Sequence, residues 1–256
     1  MTTGIASFRL TKNMKNMQNA VLEKIKDFYE KHPFPDYKNY SKNKLYNVGR
    51  GAVYTRWLDD NIPRNARVLE VGCGTGQLSN FLALERNRKV TGVDLSHASL
   101  GIANEFKRNN SVENASFIRQ DLFSLAFDDS FDAVICNGVL HHTSDAFKGF
   151  NTISAFVRPG GMLAIGLYNR YGRVFLNLRR KLHLEFLDPH FESRKDHKRD
   201  IWFFDQYRCP HETAHTYREL KNWMKDYRIV KKFPRFELQT IDKEGGYFIF
   251  VGERIA

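Results

Sequence analysis

Three features are scarce in this chain of 256 residues, and each scarcity removes a class of protein. Its three cysteines, Cys73, Cys136 and Cys209, form no CxxC pair and no zinc-type spacing. An odd, scattered set builds no disulfide framework and suits a reducing compartment. No apolar run is long enough to span a bilayer, and the N-terminus carries no secretory signal. Low-complexity tracts and internal repeats are also missing. What is left is the expectation of a cytoplasmic protein, long enough for one large domain with a full core.

Charge is abundant and unevenly placed. Of the net +11, residues 1–47 carry +5, 48–169 carry 0, 170–235 carry +8 and 236–256 carry −2. Basic flanks around a neutral middle favour an acidic partner, whether nucleic acid, a phosphorylated metabolite or an anionic membrane. A solvated basic surface with no such partner gives the same count.

Apolar residues at helical spacing (Met14, Met17, Val21, Leu22, Ile25, Phe28, Tyr29) predict a helix over 13–31, ended by His32-Pro33. A second helix is predicted over 48–60. Strands at 67–72, 89–94, 115–120, 131–136 and 161–168 then alternate with helices near 76–86, 97–108 and 145–157. Such alternation argues for a parallel sheet covered on both faces. Val174, Phe175, Leu178 and Leu182 suggest a further helix, and Thr216 with Glu219 forms a capping box opening another, to about 226. "RFELQTI" and "YFIFVGE" are predicted as two closing strands joined by a tight turn at Gly245-Gly246.

The stretch "VLEVGCGTGQLS", residues 68–79, is a strand that collapses into a glycine turn before a helix. A dinucleotide fold asks for a third small residue where Gln77 stands, and a P-loop asks for a lysine that is not there. Glu70, just before the glycines, would repel phosphate but could favour a cation or bind an amino group through water. The turn is a poor phosphate cradle.

Taken in order, "VLEVGCGTG", "VTGVDLS", "FIRQDL", "FDAVICNGVLHH" and "RPGGMLAIGLYN" resemble the successive motifs of class I S-adenosylmethionine-dependent methyltransferases. The resemblance covers roughly residues 45–170. It implies an α/β, Rossmann-like, doubly wound and mostly parallel seven-stranded sheet with an antiparallel C-terminal strand. Residues 1–47 would be an N-terminal helical lid and 48–256 the catalytic domain, with a cap at 170–215 inserted after the fifth strand. The implied cofactor is S-adenosyl-L-methionine, released as S-adenosyl-L-homocysteine, which explains a glycine turn with no phosphate to hold.

Carried over position by position, Glu70, Gly72, Cys73, Gly74 and Gly76 would form the turn around the methionine end. Asp94 would accept from both ribose hydroxyls, with Leu95 beside it, since a carboxylate offers two acceptors to two donors. Asp121 would accept from the adenine amino group with Leu122 adding apolar contact, and Asn137 would stand near the sulfur. Tyr29 and Phe34 are candidates to close over the cofactor, aromatic faces being suited to a sulfonium. The same aromatics could instead staple the extra helix to the core.

Beyond the cofactor, "NGVLHHTSD" offers His141 and His142 as catalytic candidates, with Tyr168 across the mouth. Adjacent histidines on a local turn converge poorly on a metal, so no metal site is expected. A backbone-bonding role and a general-base role both remain open. Ser144 is expected to cap the next helix. Tyr37, Arg170, Tyr171, Arg173 and His211 are candidate substrate-binding residues, with His211 and Glu212 a possible acid–base pair. The leading expectation is methyl transfer to an N, O or C atom of a small molecule, possibly anionic. Rival readings are an RNA or nucleotide methyltransferase, a membrane-resting lipid or quinone enzyme, and a cofactor-binding regulator without catalysis. Monomer and dimer are both open.

Overall fold

The computed structural model describes residues 12–187, 206–240 and 246–255, leaving aside the side chains of residues 12–18 and 185. Five strands run parallel: β1 (Arg67–Val71), β2 (Lys89–Asp94), β3 (Ala115–Arg119), β4 (Phe131–Asn137) and β5 (Val157–Tyr168). The sheet is completed by β6 (Tyr227–Phe233) and β7 (Tyr247–Arg254), with β7 antiparallel to both β5 and β6. The order is β3-β2-β1-β4-β5-β7-β6, so the chain winds outward from β1, then crosses back to start again at β4.

Period-two alternation divides each central strand between two cores. Leu69, Val134 and Leu163 pack on one face with Phe150, Ile153 and Phe248. Val68, Ile135 and Ala164 pack on the other with Leu58, Phe81 and Phe106. Helices α4 (Gln77–Leu84), α5 (His97–Asn109) and α6 (Ala146–Ser154) follow β1, β2 and β4. The N-terminal region contributes α1 (Lys12–Lys31), α2 (Lys42–Gly51) and α3 (Val53–Asn61), and the C-terminal half adds α7 (Val174–Lys181) and α8 (Tyr217–Trp223).

Several expectations are corrected here. The single helix over 48–60 is two, broken at Ala52, whose extended backbone (ψ 132°) ends α2 and begins α3. Helix α2 runs across position 47 and buries Leu45 in the core on the Phe81 face of the sheet. The penultimate strand is Tyr227–Phe233; "RFELQTI" instead contains a 3-10 turn, Glu237–Thr240, with Leu238 72% exposed. The connection from β6 to β7 is therefore long, and residues 241–245 lie outside the described part. The capping box forms as expected, but its helix ends at Trp223.

A buried ion pair fixes α3 to the sheet. Arg88, fully buried, donates to the Asp59 carboxylate at 2.7 Å and to the carbonyls of Asp59 (2.6 Å) and Ile62 (2.7 Å). Removing one partner strands a buried charge, which costs about 3 kcal/mol or more. Asp59→Ala is expected to lower unfolding stability in urea by about that amount, with Asp59→Asn milder. A midpoint equal to wild type would show that the clamp carries no stability.

Candidate active site

A cleft of about 600 Å³ opens at the C-terminal ends of the parallel strands, where β1 and β4 diverge. That switch point is where open α/β sheets bind ligands, and the volume suits a drug-sized molecule.

The glycine turn forms one wall. Gly72 (φ +72°) and Gly74 (φ +52°) occupy the left-handed region. A Cβ on Gly74 would lie 2.5 Å from the Phe34 carbonyl oxygen, and one on Gly72 2.1 Å from Val139. Only glycine fits either place. Asp94, ending β2, braces the turn: one carboxylate oxygen accepts from the Gly74 N–H (2.8 Å), the other from Ser96 N–H (2.9 Å). Asp94 also lines the cleft. Glu70 is buried and accepts from the Ser79 hydroxyl. Burial pushes its carboxyl up to about 8, against the Ser79 bond and with help from the Asp94 charge.

Cys73, Leu95, Asp121, Leu122 and Asn137 also line the cleft. Asp121 additionally caps a short turn by accepting from Phe123 N–H at 3.2 Å. Asn137 has its amide oriented by Tyr247, whose hydroxyl donates to Oδ1 at 2.6 Å. Helix α1 crosses the opening with Leu22, Ile25 and Tyr29, and Phe34 follows it. Glu30 pins α1 at the far edge, accepting from the Ser96 hydroxyl (2.9 Å) and Ala98 N–H (3.2 Å).

The two histidines part company. His142 donates from Nδ1 to the His211 carbonyl at 2.9 Å, since a carbonyl can only accept. His141 is 1% exposed, lines the cleft and has no hydrogen-bond partner among the described residues on either ring nitrogen. Its ring lies 3.9 Å from that of Tyr168, tilted by 35°. A second buried polar atom without a partner also lines the cleft, the Tyr54 hydroxyl on α3, near Glu70. Sequence patterning missed Tyr54, because an aromatic on an amphipathic helix looks like core.

The substrate candidates are placed differently from expectation. Arg173 is fully buried, its guanidinium 3.7 Å over the Tyr168 ring, in a two-pronged pair with Glu212 and bonded to Gln206 at 2.7 Å. It sets the position of Tyr168 rather than meeting solvent at the mouth. Glu212 is also claimed by Arg180 at 2.6 Å, which rules it out as the acid–base partner of His211. His211 turns its Nε2 to the Thr143 carbonyl (3.1 Å), behind the cleft. Arg170 pairs on the surface with Glu219, and Tyr171 is half exposed; neither lines the cleft. Tyr37 is buried behind the glycine turn, donating to the Thr75 carbonyl at 2.7 Å. Gly76 begins α4 and packs against Ala103 and Phe117 instead of the opening. Asp145, not Ser144, caps α6.

Among the described residues no cluster of acidic, histidine and cysteine side chains could hold a metal, and no helix is long and apolar enough to cross a membrane.

The model of the methyltransferase-domain family matches residues 62–233, two thirds of the chain and all five parallel strands. The chain belongs to that family. An uncharacterized Synechococcus protein is 28% identical over 165 residues, 61% of this chain and 39% of its own length. A ubiquinone biosynthesis O-methyltransferase of Pseudomonas syringae pv. tomato is 32% identical over 123 residues, 47% of this chain and 52% of its own. This methyltransferase-family chain thus spans about half or less of the length of the curated relatives it matches. In structure it is similar to the magnesium protoporphyrin IX methyltransferase of Synechocystis PCC 6803, solved with bound SAH. The TM-score is 0.57 at 20% identity, covering 95% of this chain and 99% of the other, a likeness of fold.

The raised carboxyl of Glu70 makes stability fall with pH. The folded protein keeps this proton up to about pH 8, while the unfolded chain releases it near 4.5. Its contribution is therefore full below the unfolded value and is lost as pH rises through 8. Glu70→Gln is expected to stabilise the ligand-free protein at pH 8 by at least ~1 kcal/mol, one pKa unit being ~1.4 kcal/mol. Thermal unfolding at pH 5 and pH 8 checks it; a gain of equal size at both would remove titration as the cause.

Proposed function

We propose that the protein is an S-adenosylmethionine-dependent methyltransferase that acts on a small-molecule acceptor. The observation that carries this is Asp94: a carboxylate at the end of β2, locked by two backbone N–H groups and edging the cleft beside a glycine turn. That arrangement suits a ribose diol and does not suit a phosphate, which the Asp94 carboxylate would repel.

The remaining residues fit the rest of such a cofactor. Asp121 and Leu122 would take the adenine. Glu70 and the unpartnered Tyr54 hydroxyl would take the amino-acid end, where a buried carboxyl meets an ammonium group and a buried phenol meets a carboxylate. Asn137, oriented by Tyr247, would stand between that end and the acceptor chamber. When bound, the cofactor supplies a methyl group on a positively charged sulfur, already activated for displacement. The protein's work is then alignment and the exclusion of water. Helix α1 and Phe34, closing the cleft from above, are placed for the second task. An enclosed cleft favours a small acceptor over a nucleic-acid surface.

Calorimetry with S-adenosylhomocysteine tests the cofactor half. Asp94→Ala is expected to weaken binding about a hundredfold and Tyr54→Phe about tenfold, the scale of one charged and one neutral buried hydrogen bond. Affinities within twofold of wild type for both variants would overturn these assignments. Incubation with methyl-labelled cofactor and a cell extract tests the acceptor half. Label is expected in the small-molecule fraction, and label confined to RNA or protein would overturn that half alone.

A further inference from the structure

We propose that the acceptor is a planar aromatic hydroxyl compound whose O–H is received by the unpartnered ring of His141. This deepens the proposed function and rests on it.

A buried polar group left without a partner carries a desolvation cost, so each one in a native protein calls for a reason, a catalytic role or a bound group among them. His141 leaves two ring nitrogens in that state, on a wall of the cleft. Its surroundings decide what the ring offers. Burial first, then the neighbouring His142, Arg173 and His215, hold it well below the ordinary histidine value. It is therefore a neutral imidazole, with one N–H donor and one lone pair.

The chemistry of the walls narrows the partner. His141 stands among the rings of Tyr168, Tyr247 and His142, with centroids 3.9, 6.1 and 4.3 Å away. Such a chamber suits a flat, apolar body with few polar groups. A protonated amine would need a countercharge. The carboxylates lining the cleft among the described residues are Glu70, Asp94 and Asp121, all assigned to the cofactor. A carboxylate acceptor carries no proton at neutral pH and would leave the imidazole lone pair unused. A hydroxyl uses it, because its proton must leave when oxygen is methylated.

The step balances without any other reagent. An oxygen lone pair forms the new C–O bond while the C–S bond breaks, leaving a neutral thioether. The O–H proton passes to the imidazole and from there to water. An oxygen acquiring a methyl group becomes strongly acidic, so a weakly basic imidazole is enough to take the proton.

Fragment binding tests this on the full chain saturated with S-adenosylhomocysteine, using phenol, toluene and benzoate as probes. Phenol is expected to bind about tenfold more tightly than toluene, the scale of one buried hydrogen bond. It should also shift the His141 ring signals in a ¹⁵N-histidine spectrum of the wild-type protein. His141→Phe keeps a ring against Tyr168, and should erase the phenol preference while leaving affinity for S-adenosylhomocysteine and toluene unchanged. Equal binding of phenol and toluene, no phenol binding at millimolar concentration, a preference that survives in His141→Phe, or His141 signals that respond to benzoate instead would each overturn the proposal. Failure of S-adenosylhomocysteine to bind would overturn the cofactor reading together with this one. Binding of it without a phenol preference would overturn this one alone.

Discussion

The residue pair Gly74-Thr75 is the point on which the cleft depends. From the sheet side, Asp94 accepts from the Gly74 N–H at 2.8 Å. From the N-terminal side, Thr75 donates its N–H to the Phe34 carbonyl (3.3 Å) and its hydroxyl to the Pro35 carbonyl (2.7 Å). Tyr37 then closes the knot by donating to the Thr75 carbonyl, with Asn80 donating to the Tyr37 hydroxyl at 2.9 Å. A left-handed turn is not self-supporting, and this one is held from both sides, with Tyr37, Thr75 and Asn80 buried behind it. The same bonds that shape the turn also fasten the segment after α1, so the cover over the cleft and the floor of the cleft are one hydrogen-bonded unit.

The opposite wall is built by a comparable device. Residues 206–215 return along the far edge of the cleft and bond to it repeatedly. Thr213 N–H donates to the His141 carbonyl (2.7 Å), His215 N–H to the Tyr168 carbonyl (2.8 Å), and Arg170 N–H to the His215 carbonyl (2.9 Å). Gln206 donates to the Tyr168 hydroxyl at 3.0 Å and accepts from Arg173. Arg173 and Arg180 are both paired with Glu212. Buried charges are tolerated only when paired and bonded, and this cluster satisfies that requirement through residues far apart in sequence. Part of the basic surplus of 170–235 is therefore internal structure, which weakens net charge as a guide to a partner on this flank.

Much of this was legible in the sequence, and the exceptions have physical causes. The five parallel strands and the residues at their ends were recoverable because burial on both faces leaves unmistakable apolar runs, and glycines with positive φ have few substitutes. The sixth strand was misplaced because "YRIVKKF" is an edge strand that turns lysines to water, as edges do to resist pairing. "RFELQTI" alternates convincingly, yet it follows Pro234 and its described residues pair with no strand. Arg173 was assigned to the mouth because arginine is usually solvated; its partner Glu212 lies 39 residues on, a distance no local pattern spans. Tyr54 left no signal at all, since a hydroxyl in want of a partner is visible only once the surrounding core is built.

The divergence of the two adjacent histidines follows from the turn that carries them. Leu140–His142 is a 3-10 turn, in which successive side chains point about a third of a revolution apart. Both rings still meet Tyr168 and both residues line the cleft, but their nitrogens are differently engaged. His142 meets the returning segment and spends its Nδ1–H on the His211 carbonyl. His141 is thereby directed to the Tyr168 ring and the chamber beside it, while its backbone carbonyl is taken by Thr213. One histidine ties the wall together, and the other leaves its ring nitrogens without a partner among the described residues. A paired motif that looks redundant in sequence thus divides into one ring bonded to the returning segment and one left unbonded, and the division is imposed by backbone geometry.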